Sequence, residues 1–254
     1  MNLKFNTDLA SLYTSNSQIA RVLTESWVKE NSYCPNCGKD KINEYPNNQP
    51  VADFFCAFCN EDFELKSKNG KLGKKISDGA YSSMLERISS KRNPNFFFLN
   101  YKQFNWSVND FWIIPKHFLQ SSMIEKRKPL KNRPTYIMCN INVENVPDLG
   151  KIYLVKNSII ANKKTVLETW NKTVFLRKES VETIGWTLDV LKCLDRITST
   201  DFSLNEVYKF EEELKPNHPD NNHIKDKIRQ QLQILRDMNI IEFVSRGRYR
   251  KVAK

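Results

Sequence analysis

The sequence predicts an α/β (α+β) domain with a mixed sheet, followed by an all-α domain of the winged-helix type. Three observations support this prediction. Four of the six cysteines form two C-x-x-C pairs near the N-terminus. Runs of aromatic and β-branched residues at 96–101 and 110–115 predict buried strands. The C-terminal part contains three amphipathic helical patterns and then a strand–turn–strand pattern. We place the boundary near residue 180, which gives domains 1–180 and 181–254.

The elements of the first domain follow from local patterns. Apolar residues at helical spacing predict a helix from about Gln18 to Glu30. A second helix is expected from Asp78 to Arg92, with Ser77 or Asp78 as its N-cap and Pro94 beyond its end. Besides the two apolar runs, short strands are expected at 50–56, 62–66, 136–143 and 152–155.

The second domain has clearer elements. A helix with one apolar face is expected at 186–197, and another at 204–214. Ser203 and Glu206 have the spacing of a capping box at the start of the latter helix. A third helix is expected at 221–239, with an apolar stripe on one side. The hairpin has strands at 240–244 and 249–252 around a Ser-Arg-Gly-Arg turn.

The net charge favours a polyanionic partner. Forty Lys and Arg against 29 Asp and Glu give a formal net charge of +11. Nucleic acids bind such proteins partly because each neutralised phosphate releases counterions. Proteins that bind acidic membranes or ribosomes are also basic, so charge alone does not select DNA. The N-terminus has no apolar signal core, and no stretch approaches ~18 apolar residues. We therefore expect a cytoplasmic protein with no membrane partner.

The two C-x-x-C pairs predict a small zinc knuckle within the first domain. Cys34 and Cys37 are separated from Cys56 and Cys59 by 18 residues. Two thiolates on one tight turn supply half of a tetrahedral site, and a second turn completes it. All four positions are cysteine, so the Zn²⁺ is expected to be structural. The alternative is a pair of redox-active or disulfide-forming motifs, but neither motif opens a helix after a strand. Cys139 and Cys193 are expected to be buried apolar residues.

Two carboxylates and a lysine accompany the knuckle. Asp53 precedes Cys56, and Glu64 and Lys66 follow Cys59 on a predicted strand, where they share one face. If the knuckle folds the two strands together, Asp53 and Glu64 could hold Mg²⁺. Lys66 would orient a water or stabilise negative charge, as phosphodiester hydrolysis requires.

This pattern taken alone is weak. A solvated strand face with an ordinary Glu–Lys pair would give the same spacing and would contribute little to stability. The apolar flanks of the strands favour a catalytic set, as does the element order, in which a helix precedes the catalytic strands and another follows. Glu25 on the first helix could add an acidic group to the metal site, or it could be a surface residue.

The last segment is predicted to bind DNA. Residues 181–220 carry 4 basic and 9 acidic residues, whereas residues 221–254 carry 9 and 3. A winged helix places its third helix in the major groove, and Asn, Gln and Arg can pair with base edges there. The candidate base and phosphate contacts on the helix are Asn221, Asn222, His223, Lys225, Arg229 and Gln230, and those on the hairpin are Arg246, Arg248 and Arg250. A winged helix that binds protein is the alternative.

The sequence resembles the DpnI family of methyl-directed restriction endonucleases over nearly its whole length. The stretches that carry the resemblance occur in the same order: SNSQIARVLTESWV, SYCPNCG, PVADFFC, FELKSK, DGAYSSM, NPNFFFL, GWTLDVL and NNHIKDKIRQQLQILRD. The resemblance implies a restriction-endonuclease-like PD-(D/E)xK core with a zinc site, followed by a winged helix. It also implies a monomer that cleaves double-stranded DNA at GATC sites carrying 6-methyladenine and leaves blunt ends.

By motif, the resemblance implies that Asp53, Glu64 and Lys66 are catalytic and that the four knuckle cysteines bind zinc. Ala52 replaces the proline of the PD motif, which does not affect the carboxylate. Where the family has a tryptophan near the methylated bases, this chain has Tyr136 in a shorter segment. An aromatic contact with methyl groups and hence methyl dependence are therefore expected, while the change to Tyr136 leaves the stringency of that dependence open.

Two other functions fit parts of the sequence. A zinc-containing winged-helix regulator would bind DNA without catalysis. A repair or junction-cleaving nuclease of the PD-(D/E)xK type would use the same catalytic residues on another substrate. We expect a Type II restriction endonuclease that uses Mg²⁺ for catalysis and Zn²⁺ for structure.

Overall fold

The computed structural model describes residues 1–46, 52–90 and 93–252. The chain forms two compact units. The first contains Met1–Glu144 and Gly150–Trp170, and the second contains Asn145–Leu149 and Asn171–Lys254. Within the described ranges, none of the helices combines the length and the apolar character needed to cross a membrane.

The helices are α1 (Asn16–Asn31), α2 (Tyr81–Ser89), α3 (Lys163–Asn171), α4 (Val181–Arg196), α5 (Leu204–Tyr208), α6 (Glu211–Leu214) and α7 (Ile224–Asp237). The strands are β1 (Asn43–Glu44), β2 (Phe54–Phe55), β3 (Asp62–Asn69), β4 (Lys75–Ala80), β5 (Asn95–Lys102), β6 (Ser107–Ile114), β7 (Ile124–Lys126), β8 (Met138–Asn142), β9 (Ile152–Lys156), β10 (Ile159–Ile160), β11 (Asp201–Ser203), β12 (Ile241–Ser245) and β13 (Arg248–Lys251). Short 3₁₀ turns lie at Thr7–Ala10, Lys116–Phe118, Ser121–Met123, Val143–Asn145, Asp148–Gly150, Val174–Lys178 and Lys215–Asn217.

A seven-stranded mixed sheet forms the core of the first unit, as the sequence predicts. Its order is β1-β2-β3-β5-β6-β9-β10, with β3 and β5 parallel and the other neighbours antiparallel. Residues 96–99 of β5 are fully buried because both faces of this central strand are covered. On one face, Phe97 stacks on Phe111 with ring centroids 4.8 Å apart, and Trp27 of α1 packs edge-on against Phe111. On the other face, Phe98 stacks on Trp112 at 4.6 Å.

A second sheet of three antiparallel strands, ordered β4-β8-β7, corrects one prediction. Ser77 and Asp78 lie within β4 and do not cap the following helix, which begins at Tyr81. The pairing of Ile76 with Ile141 buries both apolar side chains and keeps this segment extended. The predicted helix end at Arg92 lies outside the described residues.

Other boundaries differ from the predictions by a few residues. The strand expected at 50–56 is β2, which covers only Phe54–Phe55, and residues 50–51 lie outside the described ranges. The strand expected at 136–143 begins at Met138, so Tyr136 precedes it. The strands expected at 62–66, 96–101, 110–115 and 152–155 are confirmed as β3, β5, β6 and β9.

The second unit is a helical domain with a small sheet, ordered β11-β13-β12. The helix expected from Trp186 begins earlier, at Val181, because Ser180 Oγ accepts a hydrogen bond from Thr183 N at 3.1 Å. The predicted apolar stripe of α7 is confirmed, since Ile224, Ile228, Leu232 and Leu235 are buried. Helices followed by a β12–β13 hairpin form the expected helix-turn-helix arrangement with a wing.

Two details of this unit correct the predictions. The capping box of Ser203 and Glu206 is present, but the expected single helix is divided into α5 and α6. Phe210 leaves helical geometry with a ψ of 1°, and its N–H bonds back to Val207 O at 3.1 Å. The last helix begins at Ile224, not at Asn221, because the Asn221 side chain accepts from His223 N at 2.7 Å and forms a turn.

Candidate active site and zinc centre

The four knuckle cysteines converge on one point. Their Sγ atoms all lie within 4.8 Å of one another. The Sγ atoms of Cys34 and Cys59 are 3.5 Å apart, and those of Cys37 and Cys56 are 3.6 Å apart. Four thiolates at ~2.3 Å from a tetrahedral Zn²⁺ would be about 3.8 Å apart. The donor set and its spacing therefore fit one zinc ion.

The two cysteine turns have the same backbone pattern. In the first turn, Gly38 N bonds to Cys34 O at 2.9 Å; in the second, Asn60 N bonds to Cys56 O at 2.8 Å. Gly38 and Asn60 occupy equivalent positions and both have positive φ, 75° and 56°. This conformation is available to glycine and tolerated by asparagine. Gly38 directly follows the first C-x-x-C pair, where such a turn needs a glycine, whereas the matching role of Asn60 has no comparable signal in the sequence.

The second turn returns the chain onto β3 and thereby places Asp53. β2 pairs antiparallel with β3, and Asp53 N donates to Phe63 O at 3.1 Å. The Asp53 carboxylate accepts from Leu65 N at 2.6 Å, which fixes its orientation. Burial raises the pKa of Asp53, the Leu65 amide opposes this effect, and the negative charge of Glu64 adds to it. The structure thus brings the predicted carboxylates of Asp53 and Glu64 close enough to repel each other electrostatically.

Glu64 and Lys66 lie on one face of β3 and form a buried cluster of charges. Lys66 Nζ donates to Glu64 Oε1 at 2.6 Å and to Asp78 Oδ1 of β4 at 2.6 Å. Arg87 of α2 forms an ion pair with Glu64 Oε2. The side chains of Glu64 and Lys66 are 12% and 18% exposed. The alternative of a solvated strand face therefore does not describe this cluster.

The cluster holds Lys66 in its charged form. Burial disfavours the ammonium, but the carboxylates of Glu64 and Asp78 outweigh burial and raise the pKa of Lys66. A positive charge with a fixed position beside two carboxylates is suited to stabilising a phosphate as negative charge develops.

Asp78 and Arg87 are the members of the cluster that sequence analysis did not identify. Ser77 or Asp78 was expected to cap a helix, and Arg87 fell within that helix without an assigned role. The Asp78–Gly79 pair is the one local indication, since a glycine inside a strand often marks a bulge. The pairing of β4 with β8 does shift register between Asp78 and Ala80. No local pattern indicates Arg87.

Asp53 and Glu64 suit a hard divalent cation. Two carboxylates in one desolvated region repel each other, and a cation relieves this repulsion. Within the described ranges, the only group of three or more potential ligands that lie close enough to share one ion is the cysteine cluster. A magnesium ion at Asp53 and Glu64 would therefore take its remaining ligands from backbone carbonyls, water or the phosphate.

Glu25 lies on α1 and is electrostatically coupled to this region. Its Oε2 is 3.2 Å from Arg21 Nη1, and its side chain is 21% exposed. Burial raises the pKa of Glu25 to about 7; the charge of Arg21 opposes this shift, and those of Asp53 and Glu44 add to it. Glu25 is thus neither an ordinary surface residue nor one of the hydrogen-bonded members of the cluster.

The predicted DNA-contacting residues of the two units are exposed, except Asn221, which is half-buried. Tyr136 is 41% exposed, and its Oη lies 3.8 Å from the position a Cβ would take at Gly79. Lys225, Arg229 and Gln230 are on the exposed face of α7, whereas Asn221, Asn222 and His223 precede this helix.

Several of these cations already have partners. Lys225 Nζ is 3.2 Å from Glu211, and Arg229 is 3.9 Å from Asp226. Arg250 forms two hydrogen bonds with Asp201 across the β11–β13 pair, at 2.6 and 3.0 Å. Arg246 and Arg248 are exposed on the hairpin and form no ion pair with the described residues.

Comparison with models of known protein families shows which family this chain belongs to. A model of the Dam-replacing family, DpnI, matches residues 1–179, and a model of the Dam-replacing HTH domain matches residues 182–251. The chain belongs to the Dam-replacing family. The resemblance found in the sequence is therefore confirmed, including the order of the two parts.

Membership of the Dam-replacing family supports a methylation-dependent restriction enzyme in general. The HTH match indicates DNA as the partner of the C-terminal part and disfavours a winged helix that binds protein. The roles of the individual residues do not follow from these matches and rest on geometry.

Proposed function

We propose that this chain is a Type II restriction endonuclease that hydrolyses double-stranded DNA at GATC sites with methylated adenine and leaves blunt ends. Residues 1–180 would form a PD-(D/E)xK catalytic domain, and residues 181–254 a winged-helix DNA-binding domain. The single observation that supports catalysis best is the buried contact of Lys66 with Glu64, beside the fixed carboxylate of Asp53. Such a cluster is costly to bury, and a chemical role accounts for it.

Each member of the set has a role in this proposal. Asp53 and Glu64 hold Mg²⁺, which supplies a Lewis acid for the scissile phosphate when it is bound. The Leu65 amide fixes the Asp53 carboxylate for this purpose. Lys66 donates hydrogen bonds to a phosphate oxygen or to the attacking water, and its positive charge stabilises the developing negative charge.

Methyl recognition is assigned to exposed apolar surface beside this site. Tyr136 is an exposed aromatic residue next to Gly79, one residue from the Lys66 partner Asp78. Burial of one methyl group contributes only ~0.8 kcal/mol. Strong selectivity therefore requires both domains to contact the methylated site, and the exposed polar face of α7 would supply the second set of contacts.

A pair of plasmid digests tests the proposal. The same plasmid, with and without adenine methylation at GATC, is incubated with the zinc-loaded protein and Mg²⁺. We expect discrete blunt-ended fragments from the methylated plasmid alone. Cleavage of both plasmids would show that the protein is a nuclease that does not require methylation. Cleavage of branched or damaged DNA alone would favour a repair activity.

A substitution at Glu64 separates the enzyme from a regulator. In Glu64→Ala, cleavage should fall by about 10³-fold or more, because the metal loses a ligand. Binding of methylated DNA should survive, since the winged helix is unchanged. If the wild-type protein binds this DNA but does not cut it under any divalent cation, a zinc-containing DNA-binding regulator is the better description.

A further inference from the structure

Asp78, on β4 of the small sheet, accepts a hydrogen bond from the proposed catalytic lysine, as Glu64 of β3 does. We propose that Asp78 is a positioning residue, which holds the Lys66 ammonium in place when a metal ion occupies the Glu64 carboxylate. This inference rests on the proposed function and deepens it, since it identifies the group that orients the lysine.

The ammonium of Lys66 needs more than one anchor to have a fixed position. Its four-carbon stem is flexible, and it offers three N–H donors. Two of these donors are used, one by Glu64 Oε1 and one by Asp78 Oδ1, both at 2.6 Å. The two carboxylates belong to different strands and lie in different sheets. Together they leave the third N–H for a phosphate oxygen or a water.

A divalent cation would remove the first of these anchors. A metal bound to Glu64 competes with Lys66 for the same carboxylate oxygens and repels the ammonium. Arg87 occupies the other oxygen of Glu64, so this carboxylate is already shared between two cations. Asp78 then remains as the carboxylate that can hold Lys66 beside the metal.

The backbone fixes Asp78 for this purpose. Its Oδ1 also accepts from Gly79 N at 2.7 Å, and its backbone is paired with Cys139 of β8. The register shift between Asp78 and Ala80 places an extra residue in β4, and such bulges change the direction of a side chain. The contact with Lys66 therefore does not depend on a mobile loop.

Burial of Asp78 is costly without a functional reason. The side chain is 9% exposed, and Oδ2 is buried with no hydrogen-bond partner among the described residues. An unpaired buried carboxylate oxygen destabilises a fold. The free oxygen belongs to the carboxylate that already contacts Lys66, so it is a second acceptor on the same anchor when the lysine turns from Glu64.

The test is cleavage by Asp78→Asn, which preserves shape but removes the charge. We expect the turnover number at saturating methylated DNA to fall about 100-fold, because a small displacement of a catalytic group has this effect. The KM for DNA should stay within about twofold of the wild-type value, since the Asp78 side chain is 9% exposed and paired with Lys66 and so offers little surface to DNA. Asp78→Glu should recover part of the loss.

Two further variants make the result specific. Glu125→Gln is the matched control, because Glu125 and Lys75 form an exposed carboxylate–lysine pair in the same three-stranded sheet. It should cleave at the wild-type rate. In the double variant of Lys66→Ala with Asp78→Asn, we expect no loss beyond that of Lys66→Ala alone, because Asp78 acts through the lysine. A rate for Asp78→Asn within twofold of wild type, or an additive loss in the double variant, overturns the proposal.

A crystal structure of the wild-type protein with Mg²⁺ gives a readout that needs no cleavage. We expect Lys66 Nζ to remain within hydrogen-bond distance of Asp78. A metal-bound structure in which Lys66 leaves Asp78 overturns the proposal even if the protein cuts no DNA. If the wild-type protein cuts no DNA but keeps the contact, the proposed function fails and the assignment of Asp78 as the anchor of Lys66 stands.

Discussion

The charged side chains of the proposed catalytic cluster and those of the proposed DNA-binding surface differ in burial. In the first unit, Glu64 and Asp78 are 12% and 9% exposed and enclose the Lys66 ammonium. In the second unit, Arg229 and Arg250 are 57% and 48% exposed. The first arrangement fixes a few charges at short range, whereas the second presents many charges to solvent. Charged residues thus form a fixed buried cluster in the first region and an exposed basic surface in the second.

This difference predicts which quantity each region controls. Interactions between buried charges are strong because the surrounding dielectric is low and water does not screen them. Exposed pairs contribute about 0–1 kcal/mol each, yet their summed field attracts a polyanion and weakens with salt. Substitutions in the first region should therefore change the rate of reaction, and those in the second should change DNA affinity and its salt dependence.

Removal of the zinc should have the largest effect, because the knuckle places both Asp53 and β3. In Cys56→Ser we expect zinc content to fall, the first unit to lose several kcal/mol of stability, and cleavage to vanish. Metal analysis and thermal melting followed by near-ultraviolet circular dichroism measure these effects. Cys193→Ala is the control, because it removes a buried cysteine of α4 and should leave zinc bound. A wild-type protein that contains no zinc, together with an unchanged melting temperature in Cys56→Ser, would instead favour a redox role for the cysteines.

Substitutions in the β12–β13 hairpin should have a smaller effect than loss of the zinc, and they should change DNA affinity, not stability. Arg246→Ala and Arg248→Ala each remove an exposed cation without an ion-pair partner in the described chain. If each contacts one phosphate, the slope of log K against log salt should fall by about 0.9 per variant. The turnover number at saturating DNA should not change. Filter binding at several salt concentrations measures the slope.

Arg250→Ala sharpens this test, because Arg250 is held by Asp201. We expect a smaller change in slope than for its two neighbours, since an Arg250 that stays paired with Asp201 neutralises no phosphate and so releases no counterion. Equal slopes for all three variants would show that the ion pair does not limit DNA contact. A lower turnover number with unchanged affinity would contradict the division of roles between the two units.

Sequence patterns predicted the elements that depend on local chemistry. The central strands β5 and β6 were found because nearly every residue in them is buried, which gives long apolar runs. The apolar stripe of α7 and the cysteine spacing are likewise visible within one segment. Asp53, Glu64 and Lys66 could be proposed together because a single turn joins the strands that carry them.

The partners of Lys66 and Glu64 could not be predicted in this way. Asp78 contacts Lys66 only because β4 pairs with β8, which lies about sixty residues further along the chain. Without this pairing, an Asp followed by Gly, Ala and Tyr favours a helix cap, and Asp78 is one of the two caps expected from the sequence. Arg87 reaches Glu64 only because α2 packs beside β4. Both contacts join different secondary-structure elements, so no local pattern in a single sequence indicates them.

The smallest expected effect concerns the pH dependence of stability, which should have opposite signs in the two units. Burial lowers the pKa of His218 in the second unit, against the opposing effect of Asp189. A lowered pKa means that the folded state disfavours the charged imidazole. The contribution of His218 is therefore present at high pH and is lost as the pH falls below the unfolded value of about 6.5. In His218→Gln, this loss at low pH should disappear.

Glu25 in the first unit should behave in the opposite way. Its pKa is raised from 4.5 to about 7, mainly by burial, so the folded state favours the protonated carboxyl. Its contribution is present below the unfolded pKa and is lost as the pH rises towards 7. Glu25→Gln removes this titration and still accepts from Arg21. We expect the variant to match the wild type near pH 4.5 and to be the more stable of the two at pH 8.

Urea unfolding at intervals between pH 4.5 and pH 8 measures both effects. The difference between Glu25→Gln and wild type should grow with pH, whereas the difference between His218→Gln and wild type should change mainly below pH 6.5. A constant difference for Glu25→Gln would mean that Glu25 ionises normally in the folded protein. The raised pKa of Glu25 depends on burial and on the negative charge of Asp53. A normal pKa would therefore also count against the argument that Asp53 and Glu64 need a cation to relieve the cost of their negative charge.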